Sequence, residues 1–218
     1  LQLPGRYYRQ RKAEVFKKYG IDFCCGGKKT IAQVCAEKNI DATKVETELR
    51  QISTESKVSN ISYSDWNIDF LADYIVNTHH SYVKKYLPEL SAYAIKVARV
   101  HGQHHPELLP IEKLVQEINE ELTEHMKQEE QVLFTYVKRI VQAKSSGQPL
   151  TKEGNNLSAL IQELEKEHDF VGRCFDKIRT LSNGYSIPDD ACSSYKLLYK
   201  MLQEFEDDLH IHIHLENN

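Results

Sequence analysis

From Trp66 onward, apolar residues recur at three- and four-residue spacing with little interruption. The pattern predicts helices over about Ile68–Val100, Glu112–Lys144, Lys152 or Asn155 to Leu181, and Asp189 or Asp190 to the chain end. Pro88 is expected to kink or break the first of these. The breaks between them are a His-rich turn over 102–110, the run Ser145-Ser-Gly-Gln-Pro149, and Ser182-Asn-Gly-Tyr-Ser-Ile-Pro188. Four long amphipathic helices with short connections imply an all-α fold, an antiparallel four-helix bundle. Before Trp66 the segments are shorter. A helix over Arg6–Tyr19 stops at Gly20, Thr30 can cap a second to about Lys38, and Asp41 can cap a third to about Glu55. The expected organisation is a small helical domain over 1–56, a polar linker over 57–66 and the bundle over 67–218.

Polar residues interrupt the apolar stripes at regular places. His125 and Glu129 are four apart, so they stack on one helix face. Ile118 and Leu122 precede them on that face, and Val132, Leu133 and Tyr136 follow. Buried charges need partners or a metal, so this is a costly choice. The device returns as His212 and Glu216, on the stripe Leu198, Leu202, Phe205, Leu209. His168 lies on the stripe Leu157, Leu160, Ile161, Leu164, Phe175. The spacings form a repeat: His80 to His168 is 88 residues, and His125 to His212 and Glu129 to Glu216 are each 87. Two similar hairpins therefore each carry a His on the first helix and His-xxx-Glu on the second. Antiparallel packing would bring both sets to one level, as a two-metal site requires. His79 shares its stripe with Ala72, Ile75, Val76, Val83 and Tyr86, so periodicity does not choose between His79 and His80. His101 supplies a fifth His, and His104 or His105 could stand in for it. A single buried His is usually a satisfied core residue, and it is the repeated register that makes these into candidates. His210 and His214 fall on the opposite face, below Gln203, Glu206 and Asp207, and read as solvated surface.

Composition narrows the chemistry. The formal net charge of −4 leaves no basic footprint for nucleic acid. No apolar run is long enough for a membrane span, so none is expected, and no stretch reads as a secretory h-region. The chain opens on Leu1, so its natural start is expected upstream. Five cysteines, an odd number, argue against a secreted disulfide framework and for a reducing cytoplasm. Imidazoles with two carboxylates suit two non-haem iron ions with an oxo or hydroxo bridge better than structural zinc, which favours thiolates. Cys24-Cys25-Gly26-Gly27 precedes a helix, where backbone N–H groups favour thiolate, so Cys24 and Cys25 are a candidate redox or metal-transfer pair. Cys35 reads as core, and Cys174 and Cys192 as inert.

The string Ile21-Asp-Phe-Cys-Cys-Gly-Gly27 resembles the RIC (repair of iron centres) family, as do His80 ahead of Leu87-Pro-Glu-Leu90, His125-Met-Lys-Gln-Glu129, Glu167-His168-Asp169 and His212-xxx-Glu216-Asn-Asn. The likeness covers nearly the whole chain. It implies a ScdA-type N-terminal domain ahead of a hemerythrin-like antiparallel four-helix bundle. It also implies ligands at His80, His101, His125, Glu129, His168, His212 and Glu216, with Glu129 and Glu216 bridging two irons. Glu121 and Glu167 match acidic positions beside the metals. The implied function is repair of iron–sulfur clusters damaged by oxidative or nitrosative stress, by supplying iron to damaged iron–sulfur proteins. Nitric oxide reduction, or reversible binding of nitric oxide or oxygen as a sensor, is the alternative at the same site. A homodimer is compatible with the resemblance.

Overall fold

The computed structural model describes residues 15–16, 18–21, 30–55, 63, 66–148 and 157–217. Among these every regular element is helical. The chain forms two compact units, 1–66 with Asp207–Asn218, and Asn67–Glu206.

In the N-terminal segment, α1 spans Ile31–Glu37 and α2 spans Ala42–Glu55. Thr30 starts α1 with a capping box. The Gln33 amide donates to Thr30 Oγ1 (3.2 Å), and the Thr30 amide donates to Gln33 Oε1 (2.8 Å). Asp41 starts α2, its Oδ1 accepting from the Thr43 amide at 3.0 Å. Asn39, at φ 57°, makes the left-handed turn between them, a conformation asparagine tolerates better than most residues. Val15, Ile21, Val34, Cys35 and Val45 form the core of this segment, so Cys35 is a packing residue as expected. The expected helix over Arg6–Tyr19 and the linker over 57–66 fall largely outside the described residues.

The second unit opens on a helical rod: α3 over Ile68–Ile75, a π-helical turn over Val76–His80, and α4 over Ser81–His101. A second rod packs against it: α5 over Leu108–Gln128, a π-helical turn over Glu129–Leu133, and α6 over Phe134–Ser146. The third helix is α7, Leu157–Leu181, which packs on α5. The fourth is α8, Ser193–Asn217, unbroken across the division between the units. The core stripes are Val83, Leu87, Leu90, Ala94 and Val97 on α4, and Ile111, Val115, Ile118 and Leu122 on α5. From α7 and α8 come Val171, Phe175, Ile178, Leu198, Leu202 and Phe205. Phe205 stacks on Phe175 with ring centroids 6.1 Å apart.

Pro88 does not break the first rod, because α4 runs through it. An interior proline costs about 3 kcal/mol. Leu87 and Leu90, 2 % and 1 % exposed, flank it, and burying each stabilises by about 1.5–3 kcal/mol, which offsets that cost. The second rod starts earlier than periodicity suggests, with Pro110 in its first turn, where the amide it lacks would have no partner within the helix. Gly102 ends the first rod where a Cβ would collide with the Ala98 carbonyl oxygen and lie 2.9 Å from Leu109 Cδ2.

The face of α8 expected to be solvated is in part buried. Glu206 is 0 % exposed and takes a hydrogen bond from Arg179 of α7, while its Oε2 accepts from the Tyr185 hydroxyl at 3.0 Å. Asp208 is also buried, His210 is half-buried and His214 is exposed. Periodicity assigned Glu206 by its polarity, whereas an arginine on the neighbouring helix makes its burial tolerable. Arg179→Met should lower unfolding free energy by about 2–3 kcal/mol by leaving a buried carboxylate without its cation. Tyr185→Phe should cost about 1 kcal/mol. Urea unfolding curves check both, and a loss under about half a kcal/mol for Arg179→Met would mean the pair is screened.

Candidate metal centre

The two π-helical turns carry two of the candidate ligands, His80 and Glu129. A π turn advances the buried face by five residues instead of three or four. Ile75 and His80, five apart, are both buried, and so are Glu129 and Phe134. The expected continuation of the stripe through Val132 therefore fails, and Val132 is 52 % exposed. The extra residue also explains the tie between His79 and His80, since both are buried, at 3 % and 0 % exposed. His79 lies edge-on to Tyr74, with centroids 5.8 Å apart. His80 stacks on Phe134 and reaches Glu129, with Nε2 3.2 Å from Oε2.

Glu129, 1 % exposed, is the centre of the arrangement. Its Oε2 lies 3.2 Å from His80 Nε2 and 3.4 Å from His125 Nε2. His168 Nε2 lies 2.9 Å from His125 Nε2. On α8, His212 Nε2 lies 2.7 Å from Glu216 Oε1, one helical turn on. Two groups of four ligand-capable side chains result, His80, Glu129, His212 and Glu216, and His125, Glu129, His168 and Glu216. Within each group the ligand atoms lie within 4.8 Å of one another. Each group has its own pair of imidazoles, and both share the same two carboxylates.

The outer nitrogens fix the inner ones. His125 Nδ1 is 2.7 Å from Glu167 Oε2, and His80 Nδ1 is 2.7 Å from Glu130 Oε1. A carboxylate accepts, so each Nδ1 donates, and in a neutral ring the lone pair is then on Nε2. Both Nε2 lone pairs face the Glu129 carboxylate. An acceptor facing acceptors is a donor set for a cation, and carboxylate–imidazole pairs of this kind orient metal-binding histidines. Lys84 Nζ also holds Glu130, at 2.6 and 2.8 Å. Burial raises the Glu130 pKa, but its hydrogen bonds to Lys84 and His80 outweigh that and hold it below the ordinary value. Glu121, one turn before His125, is raised instead, first by burial and then by the negative charge of Glu167. Glu167, which the resemblance set beside the metals, lies against His125, and Glu130, which periodicity gave no reason to select, stands in the same relation to His80.

His101 is not brought to this group. It ends α4 while His80 immediately precedes that helix, and 21 residues at about 1.5 Å rise separate them by about 30 Å. Its Nε2 lies 3.1 Å from Cys192 Sγ, and its ring is 5.5 Å from Tyr195. Helix continuity through Pro88 is the physical reason, since a break there could have folded the turn back. His105 Nε2 lies 3.0 Å from both Asp190 carboxylate oxygens, so Asp190 serves His105 and does not cap α8. Asp190 chiefly, with Glu107, raises the His105 pKa above 6.5, and His105 in turn lowers that of Asp190. Tyr195 donates to Glu107 Oε1 at 3.2 Å and contacts Tyr199 hydroxyl to hydroxyl at 3.2 Å. Burial first, then these neighbours, push the Tyr195 phenol far above its usual range. Cys174 is buried and its thiol pKa is raised by burial, as suits an inert residue. Cys24 and Cys25 lie outside the described residues.

Comparison with known proteins places this geometry. The hemerythrin HHE cation-binding domain matches residues 71–218. The ScdA_N domain, a domain of unknown function, matches residues 8–53. The iron–sulfur cluster repair protein ScdA of Staphylococcus epidermidis is 32 % identical over 209 residues, covering 95 % of this chain and 90 % of that protein. The chain belongs to the ScdA/YtfE family of iron–sulfur cluster repair proteins. YtfE of Citrobacter koseri is 35 % identical over 213 residues, covering 95 % of this chain and 88 % of that protein. YtfE of Yersinia pestis is 35 % identical over 211 residues, with the same coverage. Membership agrees with the expected architecture, and the hemerythrin match contains all six residues of the two groups.

Two measurements check this geometry. In metal-free protein held above the imidazole titration range, nitrogen chemical shifts should place the proton of His80 and His125 on Nδ1. A dominant Nε2–H form in either ring would sink the donor-set argument. The NMR titration midpoint of His105 should lie above 6.5, and Asp190→Asn should bring it down. The sign follows from charge: Asp190 favours imidazolium, so the stabilisation is complete below 6.5 and is lost as pH rises through the folded midpoint.

Proposed function

We propose that this chain repairs damaged iron–sulfur clusters, using a pair of non-haem irons held by its bundle. The observation that carries the reading is the pair of four-donor groups sharing Glu129 and Glu216. His80 and His212 would hold one ion and His125 and His168 the other, with both carboxylates bridging. His101 is left out of this set. Four imidazoles and two carboxylates form a mixed nitrogen and oxygen environment that suits iron, and it lacks the thiolates of a closed structural zinc site. Such a pair, when bound, supplies redox chemistry and exchangeable positions for nitric oxide or oxygen. The names of the relatives supply the word repair, and a donor set of nitrogen and oxygen without thiolates would suit iron supply as its means.

The protein's own residues would control the ions from outside. Glu130 and Glu167 fix the two imidazoles, and Lys84 fixes Glu130. Glu121, with its raised pKa, is suited to hold a proton beside His125. We assign Cys24 and Cys25 to transfer of iron or electrons toward a recipient iron–sulfur protein. The separate family matches over 8–53 and 71–218 support a two-domain chain with its linker over 57–66. No helix among the described residues is long and apolar enough to cross a membrane. The odd number of cysteines supports a reducing compartment.

Elemental analysis of freshly purified protein should give about two irons per chain, the number of groups the shared carboxylates create. His212→Ala or His125→Ala should remove most of that iron with helical circular dichroism retained, while His101→Ala should keep it. Glu130→Ala should weaken iron binding about 10–100-fold. Iron-loaded protein should then restore cluster absorbance to a nitric-oxide-treated iron–sulfur enzyme. Full iron in His212→Ala would refute the ligand set, and multiple turnover of nitric oxide without restored clusters would favour a reductase.

A further inference from the structure

The end of the bundle that holds His101 carries a second constellation. Cys192 is exposed, and its Sγ lies 3.1 Å from His101 Nε2. Cys192 also begins α8, since the Lys196 amide donates to its carbonyl at 3.0 Å. The sulfur therefore stands at the positive end of a helix 25 residues long, where developing negative charge is favoured. The His101 ring lies 5.5 Å from that of Tyr195 and 6.4 Å from that of His105. Cys35 and Cys174, by contrast, are 1 % and 2 % exposed.

A metal does not account for this cluster. Cys192 and His101 offer two donors, whereas a thiolate–imidazole metal site needs three or four. The nearest further imidazole, His105, has Nε2 committed to Asp190 and Nδ1 3.2 Å from Glu107 Oε1. What remains is a nucleophile with a base at hydrogen-bond distance, open to solvent.

We propose that Cys192 and His101 form a thiol–disulfide exchange site that takes low-molecular-weight disulfides. His101 Nε2 accepts the thiol proton as Cys192 Sγ attacks one sulfur of the disulfide. The new S–S bond joins Cys192 to that sulfur, and the old S–S bond breaks. The departing half leaves as a thiol after taking the proton from His101. Cys192 is oxidised to a mixed disulfide, and the leaving half is reduced. The site lies about 30 Å from the His/Glu centre along α4, so its reactivity is separable from iron binding.

The test uses the full chain with Cys24→Ser and Cys25→Ser, and oxidised glutathione as the disulfide. Mass spectrometry of peptides follows glutathionylation with time. Cys192 should be modified first, with Cys35 and Cys174 protected until urea unfolds the protein. His101→Gln should slow modification of Cys192 by about a hundredfold, the low side of what a positioned base contributes. Iron content and helical circular dichroism should be unchanged in that variant. His105→Gln, which leaves the base in place, should react within about threefold of the parent. Equal rates in His101→Gln and the parent would overturn the proposal. So would a Cys192 that is modified only after unfolding.

Discussion

A carboxylate buried to 1 % exposure, with the lone pairs of two imidazoles turned toward it, governs the bundle. Glu129 cannot be placed there as an isolated charge, because an uncompensated buried ion costs several kcal/mol. Protons or cations must therefore occupy the space between it and its neighbours. The outer carboxylates Glu130 and Glu167 take the Nδ1 protons of His80 and His125 and so leave the inner positions to lone pairs. The constraint extends outward in this way, from Glu129 to the imidazoles, to the second ring of acids, and to Lys84 at the surface.

The backbone shares that constraint. Both rods that bring a ligand with a π turn place it at the turn itself, His80 at the end of one and Glu129 at the start of the other. A π turn weakens helix geometry and survives where surrounding packing holds it. Here Phe134 stacks on His80, so the two turns support one another through the pair they position. The helices α7 and α8 deliver His168 and His212 without such a turn. The repeat in sequence is thus only approximate in backbone geometry.

The two ends of α4 have different chemistry. Near His80, acids and imidazoles converge on a cation site. At the far end, His101 meets a thiol, and His105 meets the acids Asp190 and Glu107. Fold and family account for the first. The second rests on Cys192, placed just before α8.

The helical bundle and most of its candidate centre are legible in the sequence, because a period of 3.6 and an 87-residue repeat are properties of the chain alone. They singled out His125, Glu129, His168, His212 and Glu216 before any contact was known, and left His80 tied with His79. Three things depended on neighbours far away in sequence. The π turns shift a stripe by one residue, so Val132 came out exposed and the tie between His79 and His80 was beyond periodicity. The burial of Glu206 rests on Arg179, a partner on another helix, and the role of Glu130 rests on His80, 50 residues earlier. His101 was drawn to the centre by resemblance, yet an unbroken helix through Pro88 holds it the length of α4 away. Local spacing determines which face a residue occupies. Only the packed structure decides which partner meets it there, because that depends on the level at which separate helices come together.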